Sequence, residues 1–423
     1  MAASGSLARA RRRRGIRRST IALLLGLVGH APAGAGERLE PPDLGRYARW
    51  GALRVRPRLE LGRFGHDDNI LARSSDEVSD LTATLSPTLD GLVLFGDRAF
   101  VEFTERVELT GYWSHPDQSF ADLRGRGRVT FPLGRFGLFV DGRLDRVRER
   151  PVDLQDIRPR RREHGVGAGV IVKPGWRSEL EIGRRVTGLE YADPDFVSSG
   201  QDIGERLDRR ERRTFLEGDY LVAGRTRLTL DVDHGTTEFA ASEPDGRSKD
   251  SADWSLRPGV DFGQGARLAG TARIGWAVVD AEEPTRSDLS RLVGDASLAY
   301  RPGRSATVRL EGWLRPGFSL YEDAAYLLER GLSLGALRYL GGPLGIEAGV
   351  TRGTLTFPGA GTSRVDRFEE YELGLRLRLS ENDLGRRVEY SLEVEHERTG
   401  SSAPDQDRRR TAFGFGAVIG YGR

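Results

Sequence analysis

The stretch LVGDASLAYRPGRSATVRLEGWLR, Leu292 to Arg315, decides the fold. Leu292, Gly294, Ala296, Leu298 and Tyr300 fall on one parity, and after Arg301-Pro302-Gly303-Arg304 so do Ala306, Val308, Leu310, Gly312 and Leu314. Asp295, Ser297, Thr307, Arg309 and Glu311 fill the other parity. A period of two with one dry and one wet face is the signature of a β-strand. Pro presets φ and Gly accepts a positive φ, so the intervening residues predict a tight turn. The dry face meets a second sheet in a soluble sandwich and meets lipid in an outer-membrane barrel.

The pattern runs through the whole chain. Leu53, Val55, Leu59 and Leu61 alternate with Arg54, Arg56, Arg58 and Glu60, and a polar loop is expected over Gly65 to Ser79. Val101, Phe103, Val107 and Leu109 oppose Glu102, Thr104, Arg106 and Glu108, with Glu105 an exception on the dry side. Short turns, such as Gly96-Asp97, Pro132 to Arg135 and Ala223 to Thr226, alternate with longer polar connections such as Arg148 to Arg162 and Tyr191 to Leu207. About eighteen strands of about 9 to 12 residues result, the length of a tilted strand crossing a bilayer. The fold expected is all-β: a transmembrane, antiparallel, up-and-down β-barrel with both termini on the short-turn side. A soluble sandwich has no reason to segregate loop lengths in this way.

The 423 residues contain no Cys and no apolar run of the roughly 20 residues that a spanning helix needs. Residues 1–35 read as a cleaved export signal: Arg9, Arg11 to Arg14, Arg17 and Arg18 precede the apolar Ile21 to Val28, and Ala33-Gly34-Ala35 offers the cleavage pattern. Residues 36–423 are then the barrel. A twin-arginine reading of Arg17-Arg18 ranks lower, because that route carries folded cargo. Without residues 1–35 the chain holds 58 basic against 63 acidic residues, which removes the case for a nucleic-acid partner.

On the wet parity the charges form ladders: Arg124, Arg126 and Arg128; Arg376 and Arg378; Glu389, Glu393 and Glu395; Asp231 and Asp233. Like charges across one sheet repel, so basic and acidic strands are expected to oppose each other around a hydrated lumen. With Arg309 and Glu311 of the opening hairpin, the first eight of these are the candidate pore-lining residues. Either they select solute by charge, or they pair and fill the barrel. Trp113, Trp254, Trp276, Tyr300, Trp313 and Tyr421 near strand ends fit interfacial girdles.

The first loop carries Gly65-His66-Asp67-Asp68-Asn69-Ile70, then Asp76 to Asp80 and Leu85-Ser86-Pro87. This pattern resembles the opening of the beta-barrel porin family that includes outer-membrane proteins associated with exopolysaccharide production, and the likeness extends loosely from about Val55 to the C-terminus. The resemblance implies a barrel in the outer membrane of a Gram-negative bacterium, with saccharide transport or export as context, and it supplies no catalytic residues. Phe413, Phe415 and Tyr421 alternate as in a terminal strand, but Gly422-Arg423 follow where many such barrels end on an aromatic residue.

Other sites carry less. His66, Asp67, Asp68 and Asn69 could offer oxygen ligands to Ca²⁺, but the spacing is not that of an EF-hand and equally describes a turn. Asp193, Asp195, Asp202, Glu205 and Asp208 could bridge divalent ions at a lipopolysaccharide surface or be plain loop charge. For catalysis, His396 and Ser391 lie on opposite parities, and Gly165-Val166-Gly167-Ala168-Gly169 sits inside a strand without the helix a phosphate loop requires. No enzyme, metal or cofactor is therefore expected. The partners expected are outer-membrane lipid, lipopolysaccharide, the barrel assembly machinery and saccharide solutes. The function expected is a porin or channel, or the outer-membrane conduit of a saccharide or exopolysaccharide pathway. The alternative is a closed structural barrel whose external loops bind.

Overall fold

A computed structural model describes residues 39–421, apart from 40, 43, 149–158, 193–196, 199–200, 243–247, 264–265, 284–287, 320–325, 359–363, 382–385 and 404–405. The export segment expected over residues 1–35 lies outside the described residues.

Eighteen antiparallel strands form one closed ring in chain order. They are β1 (Leu53–Asp67), β2 (Asp80–Phe95), β3 (Ala99–Tyr112), β4 (Phe120–Leu133), β5 (Phe136–Arg148) and β6 (Arg160–Gly175). Next come β7 (Ser178–Ala192), β8 (Arg209–Ala223), β9 (Thr226–Phe239), β10 (Ser251–Phe262), β11 (Leu268–Ala281) and β12 (Leu289–Tyr300). The ring ends with β13 (Ala306–Phe318), β14 (Tyr326–Tyr339), β15 (Leu344–Phe357), β16 (Arg364–Glu381), β17 (Arg386–Ser401) and β18 (Arg408–Tyr421). Each strand pairs with the next, and β1 pairs with β18 from Arg58↔Gly420 to Asp67↔Ala412. A three-residue strand, Ala48–Trp50, adds to the free edge of β1.

Apolar side chains of one parity point outward. Leu373 is 59% exposed, Leu332 56%, Ile274 58% and Leu334 46%, an arrangement that only lipid makes favourable. Glu105 lies on this outer face, as its sequence parity requires. Eight short turns of two to five residues and nine longer connections of six to sixteen alternate around the ring. Positive-φ glycines occur in the short turns, among them Gly96 at 58° and Gly134 at 72°.

Three expectations are corrected. The strands run 12 to 18 residues rather than 9 to 12, because pairing continues past the lipid at both rims, where neighbouring strands still satisfy the backbone. The strand β1 also runs on to Asp67, into the expected loop. It does so through a bulge between Leu61 and Phe64, with Arg63 at φ 48°, which flips the parity and keeps Phe64 outside. The turn of the opening hairpin is wider than a four-residue turn. The last pair is Tyr300↔Val308, and Gly303 does not take a positive φ. Arg301 N–H is donated to Arg267 O and Ser305 O accepts from Tyr339 N–H, so the outer neighbours hold the hairpin mouth open.

Adjacent positions on β14 test the facing. Leu334→Arg should cost about 2–4 kcal/mol of folding in lipid vesicles. Gly335→Arg, at a position where an added Cβ meets no atom within 4 Å, should cost much less by the same refolding titration.

Candidate functional site

The inner wall is the site, and its charges neutralise one another locally. Arg376 of β16 lies between Glu347 of β15 and Glu389 of β17, 3.0 Å from Glu389 Oε1, and Arg378 lies 3.6 Å from Glu389 Oε2. Glu395 meets Arg63 at 2.7 Å. Arg124 lies 3.5 Å from Asp122 and 4.0 Å from Glu108. Arg128 reaches Glu181 at 2.7 Å across the ring of Phe139, which its guanidinium overlies at 3.9 Å. The Asp231 and Asp233 ladder is met by Arg257, Arg273 and Arg213.

All ten pore-lining candidates stand on the inner parity, and the basic and acidic residues that oppose each other around the lumen do so as lateral pairs along the wall, as Arg376 and Arg378 of β16 do with Glu389 of β17. A side chain reaches a neighbour one strand away far more easily than it reaches the far wall. Arg126, Arg309, Glu311 and Glu393 are the exceptions. They are exposed and make no ion pair or hydrogen bond among the described residues. On the side of β1–β3 and β15–β18 the wall encloses an open polar cavity of about 890 Å³, lined by Glu60, Arg106, Glu108, Ser391, Glu393 and Arg410 among others.

The first-loop motif has a structural task, holding the seam where β18 meets β1. Asp67 accepts from Arg410 at 2.9 Å, and Arg410 also contacts Glu397 at 3.1 Å. Asp68 N–H is donated to Thr411 O at 3.1 Å, and Thr411 N–H returns to Asp68 Oδ1 at 2.6 Å. Asn69 is fully buried. Its amide nitrogen donates to Arg73 O and Arg409 O, and its oxygen accepts Arg73 N–H. Asp80 accepts from the backbone of Ser114 and His115. These oxygens are directed at separate partners rather than at one point where Ca²⁺ could sit. Among the described residues, Glu370, Glu395 and Glu397 do converge, with one oxygen from each within 4.8 Å of the others. Arg63 and Arg410 already hold Glu395.

Two features differ from what the sequence led us to expect. Trp313, expected in the girdle, faces the lumen: it shares the parity of Arg309 and Glu311, and its indole N–H is donated to Glu329 at 2.8 Å. Trp113 and Trp276 are outward as expected, at 83% and 44% exposure, as is Tyr300 at 48%. Trp254 shares the outward parity of Leu256, and the side chain of Tyr421 lies outside the described residues. Trp50 and Trp176, at 75% and 62%, add to the short-turn rim.

The second feature is an apolar island inside the charged wall. Phe139, Ile171 and Phe215 are 1%, 5% and 5% exposed and pack with Leu39. A Cβ on Gly137 would come within 2.5 Å of Leu39 Cδ1, so that glycine makes the room Leu39 fills. Because Phe139 and Phe215 face inward, Leu39 lies inside the barrel. The nearby turn between β4 and β5 places it at the short-turn mouth. A side chain from outside the ring of eighteen strands therefore stands in that mouth.

For the remaining candidates, His396 Nδ1 lies 3.0 Å from Thr411 Oγ1 on the outer parity, away from Ser391. Gly165 to Gly169 lie inside β6. In the acidic loop, Asp208 accepts Tyr191 N–H, Asp193 and Asp195 lie outside the described residues, and the side chains of Asp202 and Glu205 are not described.

A closed ring of this size, with an apolar outer belt and a charged inner wall, defines an outer-membrane β-barrel of the porin type. The chain belongs to the family described as "Putative beta-barrel porin 2", whose model matches residues 47–421. No curated protein matches the sequence. Among solved structures, the chain is similar to a BenF-like porin from Pseudomonas fluorescens Pf-5 (11% identity, 87% of this chain and 98% of that one, TM-score 0.49). It is similar to OccAB3 of Acinetobacter baumannii (11%, 87% and 98%, TM-score 0.47). It is also similar to OccK2 (OpdF) of Pseudomonas aeruginosa in complex with glucuronate (14%, 87% and 97%, TM-score 0.48). The protein is an outer-membrane porin-like barrel.

Removing the buried amide at the seam should be costly. Asn69→Ala leaves three backbone groups without their partner and should lower stability by about 1–3 kcal/mol, read as an earlier midpoint of heat-modifiable migration in detergent.

Proposed function

We propose that the barrel is a passive channel for small, hydrated polar solutes, and that it serves as the outer-membrane conduit of a saccharide or exopolysaccharide pathway. The observation that carries the channel reading is the polar cavity of about 890 Å³ along an inner wall whose charges are mostly neutralised in place. Paired charges hold hydration water without binding ions tightly, so passage is governed more by size than by charge. The unpaired Arg126, Arg309, Glu311 and Glu393 contribute a residual field of mixed sign. Ion selectivity is accordingly weak, and uncharged or zwitterionic solutes pass as readily as salts. The saccharide side of the reading draws on the likeness of the first loop to proteins of exopolysaccharide production.

A second reading, a closed barrel that acts through its external loops, is favoured by one observation, the Leu39 side chain inside the short-turn mouth. The two readings separate in planar bilayers. A channel gives discrete conductance steps with a reversal potential near zero in a salt gradient, and Arg126→Glu shifts that potential towards cation preference. Leu39→Asp places a charge in the apolar island, releases the side chain from it and raises the step size. A folded barrel that stays silent both as wild type and as Leu39→Asp contradicts the channel.

A further inference from the structure

The island that seats Leu39 has a construction that recurs elsewhere in the lumen. In register across four strands stand Phe139, Gly169, Gly183 and Phe215. Each ring lies over the glycine beside it: a Cβ on Gly169 would fall 2.5 Å from Phe139 Cζ, and one on Gly183 2.6 Å from Phe215 Cζ. The same order appears on β13 to β16 as Trp313, Gly331, Gly353 and Phe368. A Cβ on Gly331 would lie 2.3 Å from Trp313 Cζ2 and 2.6 and 2.8 Å from its two ring neighbours, which puts it above the ring face rather than at its edge. A Cβ on Gly353 would lie 2.3 Å from Phe368 Cζ. Two aromatic rings are thus laid flat on adjacent, side-chain-free strands.

The two floors differ in what covers them. Leu39 seals the first, at the short-turn end. Over the second, in the half of the lumen nearer the long loops, Phe368 packs against the buried Leu327, Leu355 and Phe357, yet both it and Trp313 remain partly exposed. Its border is polar towards the short-turn end and mixed towards the long loops. One row towards the short-turn end run Glu311, Ser333, Thr351 and Glu370, and one row towards the long loops run Arg315, Glu329, the buried Leu355 and Asp366. An apolar floor with a few polar groups at its rim is how a small-molecule site is built.

We propose that Trp313 and Phe368 form a saccharide-binding subsite on the lumen wall, taking a pyranose ring flat on the aromatic floor. The inference deepens the saccharide-conduit reading and rests on it. A pyranose offers C–H groups on its faces and hydroxyls around its edge, which matches aromatic faces flanked by oxygen acceptors. Glu311 and Glu370 accept hydrogen bonds from hydroxyl groups, and charge-assisted bonds of this kind are strong. The same carboxylates repel an anionic aromatic solute, which would otherwise suit a flat apolar floor. Of the six tryptophans, Trp313 alone stands on the inner parity of a barrel strand, so its indole is a private reporter of the subsite.

The experiment uses the full barrel with maltohexaose as probe and benzoate as the competing chemistry. In planar bilayers, maltohexaose added on the long-loop side interrupts the current, Trp313→Ala shortens the blocks about tenfold, and Trp313→Phe retains most of the block time. Heat-modifiable migration confirms that each variant is folded. Block times unchanged in Trp313→Ala, or stronger block by benzoate than by maltohexaose, overturn the proposal. A conducting barrel that maltohexaose never blocks also overturns it while leaving the channel intact. If the barrel does not conduct, the channel reading fails and the subsite is judged in detergent. Maltohexaose then shifts the wild-type indole emission and leaves Trp313→Phe unchanged, and the absence of a shift in the wild type overturns the proposal.

Discussion

A backbone amide facing lipid has no water to bond, so every strand of this chain must find two neighbours. That constraint makes the meeting of β1 and β18 the interaction on which the rest depends, because it alone removes the two open edges of an otherwise ordinary antiparallel sheet. The chain reinforces the junction on its long-loop side. Asp67, Asp68 and Asn69 are bound to Arg410, Thr411 and Arg409, roughly 340 residues away in sequence. A short polar motif at the first loop is thereby a clasp, which explains Asp and Asn residues that otherwise look like metal ligands.

Closure then dictates the distribution of side chains. One parity faces hydrocarbon and is apolar; the other faces a confined aqueous space and must be polar without accumulating charge. The chain meets the second demand by lateral neutralisation, as at Arg376 between Glu347 and Glu389. Glycines opposite inward aromatics allow apolar floors to be set into this polar wall. One floor holds the chain's own Leu39, so the lumen is shaped by the segment preceding β1 as well as by the wall.

The fold class was legible because period two is a direct imprint of a two-faced sheet. Strand number and the alternation of short and long connections followed from the same pattern, and so did the inward placement of Arg124, Arg309, Glu311 and the other charged candidates. What parity cannot supply is register. That Trp313 lies on Gly331, that Arg128 reaches Glu181 three strands away, or that Asn69 meets Arg409 depends on which residue stands opposite which. Turn width was hidden for a related reason: Arg301 and Ser305 are held by β11 and β14 rather than by each other. Trp313 could have been placed correctly from parity alone, since it shares the face of Arg309 and Glu311.

The central claim is that the apolar parity meets lipid and the polar parity meets water inside the ring. The absence of cysteine permits a direct measurement at two consecutive residues of the opening hairpin. Leu310→Cys and Glu311→Cys, each carrying the same small fluorophore in a reconstituted barrel, are compared for quenching by brominated lipid and by aqueous iodide. Lipid is predicted to quench only at position 310 and iodide only at position 311. Equal quenching at both positions, or the reverse order, contradicts the account.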